Sequence, residues 1–84
     1  MNHLFARIGT DVKKQLTAVI EREGAGFVSL CPELDIASQG ATIEEARENL
    51  REAVELFFET ASPSEVEARF HEEVYVTRME ISVG

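Results

Sequence analysis

Eighty-four residues make one domain and leave no room for a second. With 44% hydrophobic and 29% charged residues the composition is globular, and no apolar run is long enough to span a bilayer. The net charge of −8 argues against nucleic-acid binding by the chain itself, which needs Lys and Arg to displace counterions from phosphates.

That charge is uneven. Residues 1–22 hold four bases (Arg7, Lys13, Lys14, Arg22) and two acids (Asp11, Glu21), a balance of +2, so the remaining residues carry −10. An acidic body suits a basic partner as well as plain solubility. The single cysteine, Cys31, excludes an internal disulfide, and no zinc-ligand spacing occurs. Without a secretory signal, a cytoplasmic location is the default expectation.

Residues 1–14 show no clean periodicity. They suit an extended arm, a turn of helix or an extra edge strand, and are left unassigned as an N-terminal arm before a domain over 15–84. Gln15 to Arg22 reads as a strand, with Leu16, Ala18 and Ile20 alternating against Gln15, Thr17, Val19 and Glu21. Glu23-Gly24-Ala25-Gly26 then supplies a hairpin loop. Phe27 to Cys31 is the return strand. Pro32 cannot donate to a ladder and ends it. Glu33-Leu34-Asp35 forms a turn or bulge, and Ile36 to Gln39 a short third strand stopped by Gly40.

Thr42-Ile43-Glu44-Glu45 is a capping box, in which the Thr42 hydroxyl accepts from the Glu45 amide and the Glu45 carboxylate reaches back. Ile43, Ala46, Leu50, Ala53, Val54, Phe57 and Ala61 follow at spacings of three and four, the core stripe of a long helix. Ser62-Pro63-Ser64-Glu65 starts a second, short helix running to about Phe70. Val74 to Val83 alternates as a last strand. The fold class is therefore α+β, in the order β-β-β-α-β with a short extra helix. A three-stranded antiparallel meander is expected, with the fourth strand joined right-handedly after the helical crossover.

The run from Ala18 to Phe58 resembles the HicB family of bacterial antitoxins. The residues that carry it are Gly26-Phe27-Val28-Ser29-Leu30-Cys31-Pro32-Glu33-Leu34, Ser38-Gln39-Gly40, Thr42-Ile43-Glu44-Glu45-Ala46 and Leu50-Arg51-Glu52-Ala53-Val54-Glu55-Leu56-Phe57. About half of the chain is covered. The resemblance implies a truncated ribonuclease-H-like fold that covers a small basic RNase toxin of the HicA type. Typical members add a C-terminal helix-turn-helix or ribbon-helix-helix, whereas this sequence ends at Gly84 and so resembles the short form without a DNA-binding domain.

The residues offer little chemistry. Glu33 and Asp35 lie two apart, but two-metal hydrolysis needs several convergent carboxylates, and the first strand contributes no central Asp. A remnant nuclease is the weaker alternative. His3 and His71 have no matching ligands or nucleophile. The expectation is no catalytic residue, no metal and no cofactor. Candidate partner contacts are Pro32, Glu33, Leu34 and Asp35 in the turn, and Glu55, Leu56 and Glu59 on the long helix. Leu56 points away from the core stripe, and Phe58 flanks it on the other side. The sheet face opposite the helix offers Phe27, Val74 and Val76 or their alternates, so a homo-oligomer is expected. The second reading is an orphan self-assembling module with no toxin partner.

Overall fold

The computed structural model describes residues 13–84. The reading of residues 1–14 falls mostly on positions 1–12, outside the described residues, as does His3. Three strands form an antiparallel meander in the order β1-β2-β3: β1 Val19–Glu23, β2 Gly26–Cys31 and β3 Ile36–Gly40. Two helices follow, α1 Ile43–Thr60 and α2 Pro63–Arg69.

The β1–β2 hairpin pairs Val19 with Leu30 and Glu23 with Gly26, and it turns through Gly24 at φ +61°. A glycine meets no Cβ penalty there. The Arg22 guanidinium lies 4.6 Å from the Phe27 ring centroid and ties the two strands together on one face. Pairing begins at Val19, later than the Gln15 expected. Two steps of register before Val19↔Leu30 would bring Thr17 opposite Pro32, which has no N–H to offer. The β2–β3 hairpin pairs Cys31 with Ile36 and Phe27 with Gly40. Its turn closes with the Leu34 and Asp35 amides both donating to the Cys31 carbonyl, at 3.2 and 2.8 Å.

Both helix starts form where the capping residues lie. The Thr42 hydroxyl accepts from the Glu45 amide at 3.0 Å, while the Glu45 carboxylate reaches one residue further back than expected, to the Ala41 amide at 2.5 Å. At Ser62 the reciprocal box is complete, with Pro63 in the first turn.

The long helix lies mainly over β3 and β2 and barely touches β1. Its closest approach uses small residues. The buried Ser29 hydroxyl donates to the Ala46 carbonyl at 2.8 Å. A Cβ placed on Gly40 would sit 2.5 Å from the Ala46 nitrogen. Cys31, Leu34 and Leu50 form the buried cluster, with Leu16, Ile36, Val54, Phe57, Phe58 and Phe70 packed around it. Ile43, counted in the core stripe, is half exposed instead. Phe58 belongs to this core, edge-on to Phe57 and Phe70, and is not a flank of an exposed patch.

Ser29 and Cys31 face the helix, so alternation puts Val28 and Leu30 on the uncovered face, along with Leu30's partners Val19 and Ala37. Phe27 is on the helix side. The fourth strand expected over Val74–Val83 is not formed among the described residues: 71–84 pair with no strand of their own chain, and Tyr75, Val76, Met79, Ile81 and Val83 are exposed. A strand needs a neighbouring edge to bond to, and among the described residues this segment bonds to none.

Two variants check this packing. Gly40→Ala pushes the new methyl into backbone that cannot give way, and should cost about 2–4 kcal/mol by chemical denaturation. Phe57→Ala should cost about 3–5 kcal/mol; a midpoint within a degree or two of wild type would mean that Phe57 does not support the core.

Candidate functional site

The Pro32–Asp35 turn gathers contacts from four parts of the chain. Glu33 is 5% exposed, although its neighbours in sequence form a surface turn. Its carboxylate accepts the Thr17 amide at 3.0 and 3.1 Å and the Thr17 hydroxyl at 2.6 Å. The Cys31 thiol lies 3.4 Å away on the same carboxylate. These donors close the gap in the ladder where Pro32 has no N–H. The Glu33 carbonyl accepts the His71 amide at 2.7 Å. Arg69 donates to the carbonyls of Leu34 at 2.7 Å and Asp35 at 3.2 Å, and its guanidinium lies 5.5 Å from the Phe57 ring centroid. Leu34 is fully buried beneath. Asp35 completes the turn at φ +57°, a region that Asp tolerates better than most residues.

Of the seven candidate contact residues, the turn contributes two that are turned inward. Glu33 and Leu34 are internal, Pro32 is half-buried, and Asp35 is exposed. Glu55, Leu56 and Glu59 are all exposed on α1, with Leu56 at 57%. The structure therefore separates the turn, which is a structural knot, from the helix surface, which is accessible. Glu33, a candidate partner contact by sequence, is instead buried. Nothing in the spacing of Thr17 and Glu33 marks them as partners.

A second feature was not expected from sequence. Because α1 leans toward β3, an open cleft of about 1050 Å³ remains between α1 and residues 13–18. Its floor is apolar, from Leu16, Ala18, Leu50, Val54 and Phe58. Its rim carries Lys13, Lys14, Arg47 and Arg51 together with Glu55 and Glu59. Arg51 pairs with both Glu48 and Glu55 along the helix surface, which contributes little to stability in water. Lys14 lies 5.1 Å from the Phe70 ring centroid. Among the described residues, no group of three or more His, Cys, Asp or Glu side chains is arranged to hold a metal ion. No helix among them is long and apolar enough to cross a membrane.

Burial works against ionisation of Glu33, but the Thr17 hydroxyl and amide outweigh it and hold the carboxyl below the usual glutamate range. Burial, then the neighbouring Glu33, pushes the Cys31 thiol up. A carboxyl lowered on folding stabilises the native state above its unfolded value of 4.5, and that contribution is lost as pH falls through the lower native value. Glu33→Gln should therefore destabilise the domain by about 1–3 kcal/mol at neutral pH. The gap to wild type should narrow in acid. Thermal melts of both proteins from pH 7 down to about 3 would read this, and a gap unchanged across that range would rule out a charged Glu33 as the cause.

No family model matches the chain, and no solved structure does. A UPF0150 protein of Synechocystis sp. is 44% identical to it over 50 residues, which span 57% of this chain and 69% of that relative. That identity over more than two thirds of the relative's length places the two in one family. The chain belongs to the UPF0150 family.

Proposed function

We propose that this protein is a non-catalytic binding module of the HicB antitoxin type, acting in the cytoplasm to neutralise a small basic RNase resembling HicA. The observation that carries the reading is the exposed surface of α1. Leu56 stands 57% exposed beside Glu52, Glu55 and Glu59, all of them exposed. An apolar anchor ringed by carboxylates suits a cationic protein surface: the acids steer the partner in, and the leucine supplies the desolvated contact. The −10 carried from residue 23 onward extends that field over the body. The antitoxin-like segments around Cys31-Pro32-Glu33-Leu34 and Ser38-Gln39-Gly40 support the same reading. Their part is indirect, since they build the turn and the tight helix approach that hold α1 in place.

In this reading inhibition is steric and stoichiometric. Asp35, Glu55, Leu56 and Glu59 are the contact residues, and no cofactor, metal or nucleic acid is needed. The finer fold assignment, a truncated ribonuclease-H-like sheet completed by Val74–Val83, belongs to the same proposal, as does self-association. The second reading, an orphan self-assembling module, is favoured by the exposed apolar residues of the C-terminal segment.

The test is co-expression with the product of the adjacent small gene, followed by purification of one protein through a tag on the other. A one-to-one complex is expected, weakened at least tenfold by Leu56→Lys with Glu59→Lys and weakened also by added salt. Failure to form a complex, with no rescue from that gene's toxicity, would sink the antitoxin reading and leave the orphan module.

A further inference from the structure

We propose that the segment Val74–Val83 is an exchanged strand, which adds to the outer edge of β1 in a second copy of this chain while that copy's segment does the same in return. The inference rests on the self-association in the proposed function and names the surface that carries it.

The segment itself gives the first argument. Tyr75, Thr77, Met79, Ile81 and Val83 fall on one side of an extended chain, and Tyr75, Met79, Ile81 and Val83 are 79, 82, 62 and 87% exposed. A domain this small does not keep such a row in water. Its alternation is that of a strand with one buried face, yet it pairs with nothing in its own chain among the described residues.

The receptor site gives the second. Among the described residues β1 pairs only with β2, so within them its outer side has no ladder partner for its backbone donors and acceptors. Beside that edge lies the apolar-floored cleft left open by α1. A strand added to β1 would complete the ladder with its backbone and close the cleft with one row of side chains. Charge favours the match. Residues 71–84 carry three acids (Glu72, Glu73, Glu80) and one base (Arg78), a balance of −2. The cleft rim carries four bases against Glu55 and Glu59, a balance of +2.

The root of the segment decides between its own chain and a second copy. The His71 amide is fixed to the Glu33 carbonyl, and Phe70 is packed against Phe58. Folding back over its own cleft would need a bend within Glu72-Glu73, where no glycine, proline or asparagine is available to make it. A second copy accepts the segment without that bend, the usual geometry of a two-fold exchange.

The experiment uses the full chain. Sedimentation equilibrium should give twice the chain mass. Met79→Asp with Ile81→Asp alters only side chains exposed in a single copy, so the helical circular dichroism signal should be unchanged while the dimer weakens roughly 100-fold or more. In a mixture of isotope-labelled and unlabelled chains, filtered NMR contacts should connect Tyr75 and Met79 of one copy to Ala18, Val54 and Phe58 of the other. A dimer that persists in the double variant would overturn the exchange while leaving self-association standing through another face. Contacts from Tyr75 and Met79 to Ala18 confined to one chain would overturn it in favour of closure within the monomer. A monomeric mass for the unaltered chain would overturn both self-association and exchange, and leave the α1 contact with a basic partner to be judged by co-purification alone.

Discussion

The buried carboxylate of Glu33 is the constraint on which the rest of the architecture depends. Its hydrogen bonds to Thr17 hold the entry to β1 where Pro32 has ended the ladder, and its own carbonyl fixes the chain at His71. Arg69 clasps the same turn from α2. One turn thus joins the start of the sheet, its middle and the exit from the last helix. A buried carboxylate is tolerable only when its lone pairs are met, and the Thr17 amide and hydroxyl together with the Cys31 thiol meet them.

The second constraint is the close contact of α1 with the sheet. Gly40, Ser29 and Ala46 are small where the helix crosses β2 and β3, and the helix start descends almost onto the backbone. That closeness tilts α1 toward β3. Its cost is a sheet covered unevenly, with the β1 side left open above Leu16 and Ala18 among the described residues. The cleft is therefore a consequence of how the core is packed.

The two surfaces proposed for binding follow from these constraints. The glutamates around Leu56 stay in water because the opposite stripe of α1 is committed to the core. The C-terminal segment is launched from a fixed root with an apolar row exposed, and among the described residues β1 has no second ladder partner.

Local chemistry in the sequence determined the elements. Alternation marked the strands, glycines marked the first hairpin, and the boxes at Thr42 and Ser62 marked both helix starts, because each of these signals acts over four residues or fewer. The helix stripe likewise placed Ala46 and Leu50 inward and Leu56 outward. Pairings across long separations were not legible. Thr17 and Glu33 lie sixteen positions apart, and Arg69 reaches Leu34 across thirty-five. No periodicity encodes such contacts, so by sequence Glu33 is a turn residue offered to a partner and its burial is not visible. The same limit applies to Val74–Val83: alternation can say that a segment suits a strand, but only the tertiary structure decides whether an edge pairs with it, and among the described residues none does.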